Sequence, residues 1–158
     1  MKTLKYITVL FLFMVNVSIA NVILPSIFAD HMVLQQNDDV KIWGWANPNE
    51  EVVIKPSWTS EEYNVKASNQ AFWELIIKTP KAGGPYTIII KGFNEIILKD
   101  ILIGEVWLCS GQSNMEMSAS WGINNGDLEV ENANNPNIRF FTVPKMSATT
   151  PQINLPGN

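Results

Sequence analysis

The stretch EVWLCSGQSNMEM, from Glu105 to Met117, contains three side chains that chemistry uses as nucleophiles. An apolar run ends in the thiol of Cys109, and the hydroxyls of Ser110 and Ser113 follow within four residues. Such a run is typical of a strand buried on both faces, and SNMEMSAS after it predicts the first turns of a helix. A serine at this sharp turn would lie at the carboxyl end of a sheet, where α/β folds bind ligands.

Ser113 has two interpretations that use the same turn. The sequence S-N-M-E fits a capping box, with Ser113 as the N-cap and Glu116 at the third helical position. Alternatively, the backbone N–H groups at the helix start would stabilise an oxyanion that forms on an attacked carbonyl. The G-x-S-x-G elbow works in this way. Here Gly111 matches the first glycine and Met115 replaces the second, so the local pattern leaves both interpretations open.

The rival nucleophiles and the candidate base fit catalysis less well. Ser110 lies earlier in the turn. Cys109 ends an apolar run, where a cysteine usually behaves as a small hydrophobe, and no Lys, Arg or His lies nearby in sequence to activate it. His31 is the only histidine, and a base must reach its nucleophile within hydrogen-bond distance. We therefore interpret His31 as a structural residue in a turn or at a sheet end.

The chain from Val22 to about Ile103 has the pattern of an antiparallel β-sandwich. Short apolar segments alternate with turn residues every eight to twelve positions, as in such sandwiches. In one segment Trp73, Leu75 and Ile77 share a face, with charged residues on the other. The predicted strands are residues 40–45, 51–58, 61–67, 71–78, 85–92 and 95–104.

The pattern changes after Gly104. Residues 105–109 predict a buried strand, 126–137 a second short helix and 138–143 another strand, which together resemble the opening of a parallel α/β sheet. Two parallel strands and their crossover leave apolar faces and edges uncovered. We therefore interpret the sequence as the N-terminal portion of a longer protein.

Residues 1–20 have the pattern of a secretory signal peptide. Lys2 and Lys5 precede an apolar run that is too short to span a bilayer comfortably, and Ser18-Ile19-Ala20 forms a small-x-small end. The predicted organisation is a signal peptide (1–20), a β-sandwich (21–103) and the incomplete start of a second domain (104–158). The mature chain is expected to be exported, periplasmic or secreted, and not membrane-bound.

Charge and composition limit the function classes. The net charge is −4, and loss of the two lysines of the leader would change it to −6, which disfavours nucleic acid as a partner. One cysteine allows no intrachain disulfide. One histidine, one cysteine and scattered carboxylates offer no metal-ligand spacing, and Gly83-Gly84 predicts a turn instead of a phosphate loop, so neither metal nor cofactor is expected.

Six tryptophans raise the possibility of sugar stacking. Trp73 and Trp107 lie among aliphatic residues and are interpreted as core. Trp45 and Trp58 flank turns, where exposure is expected. Packing is the favoured role, because large aromatics dominate cores as well as binding faces.

Several motifs in order resemble the sialate O-acetylesterase family of the SGNH hydrolases. They are LPSIFADHMVLQQN, VKIWGWANPNEEV, GEVWLCSGQSNMEM and NNPNIRFFTVP, and the resemblance runs from about Val22 to the last residue. It implies an SGNH-type, flavodoxin-like α/β domain after the sandwich. It also implies a serine esterase that removes acetyl groups from O-acetylated sugars through an acyl-enzyme, and the family serine of GQSN matches Ser113.

The same resemblance implies the other groups of the site. The backbone N–H of Ser113 would be one oxyanion donor, and Gln112 and Asn114 are candidate substrate-binding residues. The family's aspartate and histidine, in a DxxH-type motif, have no counterpart here, so the 158-residue chain is expected to be nearly inactive alone. Two alternatives remain: a non-catalytic carbohydrate-binding sandwich module, or a decayed gene fragment.

Overall fold

A computed structural model describes residues 21–155 of the chain. The predicted signal peptide, residues 1–20, therefore lies outside the described residues. The strands are β1 (Val33–Gln35), β2 (Asp39–Trp45), β3 (Glu51–Pro56), β4 (Tyr63–Lys66), β5 (Phe72–Lys78), β6 (Gly83–Lys91) and β7 (Glu95–Gly104). The expectation of a mostly β chain is confirmed, and the six predicted strands correspond to β2 through β7.

The strands of residues 21–155 form two sheets. Five of them pair in the order β1-β7-β6-β3-β4, and β2 pairs with β5. Trp45 lies opposite Phe72 and Asp39 opposite Lys78 in the antiparallel β2–β5 pair. Gly83-Gly84, predicted to be a turn, instead begins β6, where the register with β7 shifts between Gly83 and Tyr86.

One pairing departs from the predicted antiparallel arrangement. β1 runs parallel to β7, with Val33 opposite Leu102 and Gln35 opposite Gly104. A parallel pair requires a long connection. Here that connection is the chain segment that contains β2 through β6. Three residues are too few to show a period, so β1 was not predicted from the sequence.

Side chains from both sheets contribute to one hydrophobic core. Ile42, Trp73 and Ile77 come from the two-stranded sheet and are at most 1% exposed. The larger sheet contributes fully buried residues to the same cluster, among them Ile88 and Ile101. The predicted face of β5 is confirmed, because Trp73 and Ile77 are buried and Glu74 is exposed. Burial of each aliphatic side chain contributes about 1.5–3 kcal/mol.

The part of the chain after β7 differs from prediction. Residues 105–109 and 138–143, predicted to be strands, have no regular structure. Trp107 is 82% exposed, Leu108 89% and Phe140 92%. An apolar strand of a parallel sheet needs hydrogen-bonded neighbours and covered faces, and the described residues supply neither.

Two short helices follow β7 within residues 105–155. α1 covers Ser113–Glu116 and α2 covers Gly126–Asn132, with a 3₁₀ turn at Ala119–Trp121 between them. The predicted capping box is wrong, because Gln112 is the N-cap of α1, no side-chain capping bond forms, and Ser113 is already helical. The second predicted helix is confirmed at its start, and it ends before the Asn134-Asn135-Pro136 segment.

Candidate active site

Ser113 is the first residue of α1, and its surroundings are open. Residues 111–118 are all exposed. The turn is closed by a backbone hydrogen bond in which the Met115 N–H donates to the Gln112 carbonyl at 3.0 Å. Within residues 21–155 the Ser113 hydroxyl has no hydrogen-bond partner. The serine is therefore accessible, and the described residues place no base beside it.

The turn before Ser113 leaves little space beside Gly111. A Cβ atom added at Gly111 would lie 3.2 Å from the Cβ of Met115, which is closer than ordinary van der Waals contact. Met115 belongs to the first turn of α1, so a side chain at position 111 would require a small shift of Met115. Gln112 and Asn114, the candidate substrate-binding residues, are exposed on either side of Ser113.

The rival nucleophiles lie in the same exposed segment. Ser110 is exposed, and Cys109 is a free, exposed thiol. The expectation that Cys109 is a buried hydrophobe is therefore wrong, for the same reason that the strand at 105–109 is absent. Neither residue has a cationic partner among the ion pairs of residues 21–155.

His31 forms a hydrogen-bonded cluster with Asp100 and Arg139, far along the chain from Ser113. Its Nδ1 lies 2.6 Å from Oδ2 of Asp100, and Nη2 of Arg139 lies 2.9 Å from the same oxygen. A second guanidinium nitrogen donates to the Asp100 carbonyl. The hydrogen bonds from His31 and then from Arg139 hold the pKa of Asp100 below its usual value.

This cluster suits a structural role better than a catalytic one. A carboxylate on Nδ1 does orient an imidazole, as in a catalytic triad. However, Arg139 shares that carboxylate, and none of the described hydrogen bonds connects His31 to Ser113. The structural interpretation of His31, at the turn before β1, agrees with these contacts. Asp100 and Arg139 were not predicted from the sequence.

A second polar cluster lies where β7 ends. Gln36 donates to Oε1 of Glu105 at 2.7 Å and Gln35 donates to Oε2 at 3.2 Å. The Val106 N–H donates to the side-chain oxygen of Gln35 at 2.9 Å. The bonds from Gln36 and then Gln35 lower the pKa of Glu105. Two amides thus hold the first residues of the segment that leads to Ser113.

The tryptophans divide between core and surface. Trp73 is buried, and Trp43 and Trp58 pack partly against the core. Trp45 is half-buried, with its ring centroid 6.4 Å from that of Phe72. Trp107, interpreted as core, is exposed within residues 21–155.

Residues 21–155 contain neither a cluster of potential metal ligands nor a membrane-spanning helix. In that range no three His, Cys, Asp or Glu side chains come together as a metal site. The helices of the same range are all too short or too polar to cross a bilayer.

The chain is similar in sequence to known proteins. No family model matches the sequence. The sequence is 33% identical to the sialate O-acetylesterase of Homo sapiens over 129 residues. The alignment covers 74% of this chain and 24% of the human protein. The sequence is 31% identical over 124 residues to the Mus musculus enzyme of the same name, covering 72% of this chain and 23% of that one. The chain belongs to the sialate O-acetylesterase family.

A solved structure is similar to this chain in both fold and sequence. A carbohydrate acetylesterase from Xanthomonas citri aligns with a TM-score of 0.80 and 34% identity, over 87% of this chain and 31% of that chain. The chain spans about a quarter of the length of the curated sialate O-acetylesterases that it matches. The family resemblance noted in the sequence is thereby confirmed.

Proposed function

We propose that this chain carries the nucleophile of a carbohydrate O-acetylesterase, and that Ser113 is that nucleophile. The observation that supports the proposal most is an exposed serine at the first residue of α1, in a chain of this family. Its substrate would be an O-acetylated sugar, since relatives are named as sialate O-acetylesterases and as a carbohydrate acetylesterase.

The reaction would proceed in two steps. The Ser113 oxygen forms a bond to the acetyl carbon while a base takes its proton, and the tetrahedral intermediate then expels the sugar oxygen, which gains a proton. Water next attacks the acetyl-serine, which releases acetate and restores the hydroxyl. The backbone N–H of Ser113 would be one donor to the oxyanion, and Gln112 and Asn114 flank the site as candidate substrate contacts.

The base of this reaction has to come from outside the described residues. His31 is committed to Asp100, and no other imidazole is present in the sequence. We therefore propose that the family's histidine and aspartate lie in the larger part of the relatives that this chain does not span. The 158-residue chain alone would hydrolyse acetyl esters at most slightly above background.

The organisation we propose follows the sequence prediction. Residues 21–103 would be a β-sandwich, supported by two sheets that share one core. Residues 104–158 would begin an SGNH-type α/β domain, supported by the exposed apolar side chains of 107, 108 and 140, which would be covered in a complete domain. Residues 1–20 would direct export to the periplasm or the medium.

The test compares serine variants of the protein expressed from the longest reading frame that contains this sequence. Acetate release from O-acetylated sialic acid and acetylated xylan is measured for wild type, Ser113→Ala and Ser110→Ala. We expect Ser113→Ala to lower kcat by about 10³-fold or more. Ser110→Ala, three residues earlier in the same exposed segment, is expected to retain most of the activity.

Two results would contradict the proposal. Full activity in Ser113→Ala would exclude that serine as the nucleophile. Rapid acetate release by the 158-residue chain itself, abolished by Ser113→Ala, would show that the base lies within this chain.

A further inference from the structure

Two segments connect the β region to the residues around Ser113. We call residues 105–112 the outgoing arm, since they lead from the end of β7 to α1. We call residues 138–146 the return arm, since they follow α2. Both arms lack regular structure and are largely exposed. Backbone hydrogen bonding alone therefore does not fix their direction, and side-chain contacts must do so.

The outgoing arm is held at its base by the two glutamines that end β1 and follow it. The bonds of Gln35 and Gln36 to Glu105, and that of Val106 to Gln35, engage both carboxylate oxygens and one backbone N–H. The Gln36 N–H also donates to the Gly104 carbonyl at 2.8 Å. Its side-chain oxygen accepts from the Ala82 N–H at 2.9 Å, which fixes the amide orientation.

The return arm is held by Asp100 on β7, through its carboxylate and its carbonyl. Arg139 makes both contacts and its side chain is only 18% exposed, so the guanidinium is partly enclosed. The planar guanidinium can engage two acceptors at once, which sets its direction. Farther along this arm, Lys145 pairs with Glu116, which connects the return arm to α1, the helix that follows the outgoing arm.

The glutamines that hold the outgoing arm and the aspartate that holds the return arm both belong to the β1–β7 strand pair or lie next to it. Gln35 pairs with Gly104 in the parallel β1–β7 register, and His31, just before β1, donates its backbone N–H to the Lys99 carbonyl at 3.0 Å. The β1–β7 pair therefore brings the glutamines and Asp100 to the same edge of the five-stranded sheet.

We propose that Gln36 and Asp100 are positioning residues, which fix the two arms on the β1–β7 edge and thereby orient the segment that carries Ser113. The importance of this orientation for catalysis rests on the proposed function. The docking itself is a property of the chain and is tested without any substrate.

The docking test uses the lone exposed cysteine as a label site. A nitroxide on Cys109 reports the outgoing arm, and a second on Lys66→Cys, an exposed residue of β4, reports the β region. The distance distribution between them is measured by pulsed electron resonance. Gln36→Glu keeps the size of the side chain and the acceptor for Ala82 but places a carboxylate against Glu105.

We expect Gln36→Glu to broaden this distribution by about twofold or more, because an unanchored loop samples several orientations. The return arm is tested in the same way, with Cys109→Ser, a label on Thr142→Cys and the variant Asp100→Asn. Asparagine tolerates the positive φ of 55° at this position. The matched control is Glu74→Gln, which removes the exposed Lys41–Glu74 pair on the other sheet.

Unchanged distributions in both variants would overturn the proposal. An equal broadening in Glu74→Gln would also overturn the proposal, as would a loss of cooperative thermal unfolding in Gln36→Glu or Asp100→Asn. Either result would indicate that the substituted residues support the fold in general and do not specifically position the arms. In the protein with esterase activity, Gln36→Glu is expected to lower kcat severalfold with little change in KM. A wild type without esterase activity would contradict the proposed function, while the distance measurement would still decide the docking.

Discussion

At the residue scale, His31 and Asp100 both adopt backbone conformations that L-residues rarely occupy. Their φ angles are 68° and 55°, in the left-handed region that costs of order 1 kcal/mol or more for a residue other than glycine. Their side chains meet at 2.6 Å, and Arg139 completes the cluster. The hydrogen bonds of this cluster and the neighbouring strands hold the conformation.

The charge of Asp100 makes the free energy of unfolding depend on pH. His31 and Arg139 lower the pKa of Asp100 below its ordinary value of 3.8. The ionised form is favoured by folding, so its contribution is present above about pH 4 and is lost as the pH falls through the lowered folded value. We expect Asp100→Asn to reduce the denaturant midpoint near pH 5 and to have a diminishing effect towards about pH 2.5.

The measurement is chemical denaturation of wild type and Asp100→Asn across that pH range. Glu74→Gln serves as the control, because Glu74 forms an exposed pair with Lys41 and no contact with this cluster. A difference between wild type and Asp100→Asn that stays constant with pH would contradict the predicted role of the carboxylate charge.

At this scale the sequence predicts features formed by residues that are close along the chain. It does not predict contacts between residues that are far apart along the chain. Ser113 was predicted at a turn into a helix, since the turn is coded locally, although the helix starts one residue earlier than a serine cap requires. The partnership of His31 with Asp100 spans 69 residues. No local pattern codes such a contact, because it depends on the parallel pairing of β1 with β7.

At the element scale, the alternation of apolar and polar residues predicts the strands of the two sheets well. The apolar composition of residues 105–109 predicts a strand that does not form. β2 and β5 match their predicted ranges within one residue, because each buries one face and exposes the other. The predicted strand at 105–109 rested on its apolar composition alone. Composition states what a segment would bury, but a strand forms only where a neighbour supplies hydrogen bonds.

The two faces of the β6–β7 hairpin give a matched test of burial. Ile88 on β6 is fully buried, whereas Ile97 on β7 is 43% exposed. We expect Ile88→Ala to lower the free energy of unfolding by about 2–5 kcal/mol, because the removed atoms leave a cavity. Ile97→Ala should cost well under half as much. Equal losses in urea denaturation would contradict the assignment of the core face.

At the scale of the whole molecule, the core and the candidate nucleophile occupy different parts of the chain. The core cluster lies within residues 22–101. Residues 105–155 contact the β region through the two arms and again near residue 155. There the indole N–H of Trp43 donates to the Ile153 carbonyl at 2.9 Å, and the Ser26 N–H donates to the side-chain oxygen of Asn154 at 3.2 Å. Removal of the later part would thus expose polar groups to water and leave the core covered.

Limited proteolysis should therefore separate the two parts. A protease that cuts at apolar residues is expected to cleave first within residues 105–155, where Leu108 and Phe140 are almost fully exposed. A resistant product ending near Gly104 should retain cooperative unfolding. Early cleavage within β6 or β7, identified by mass spectrometry, would contradict this division of the chain.

The parallel pairing of β1 with β7 also sets an order for biosynthesis. β1 is made early, yet its partner residues Leu102–Gly104 come about 70 positions later. A chain that emerges from its N-terminus must keep β1 unpaired until β7 follows. The outgoing arm follows directly after β7, so the segment with Ser113 becomes available just as the β1–β7 edge can form, and a chain that ended before Leu102 would leave β1 without its partner.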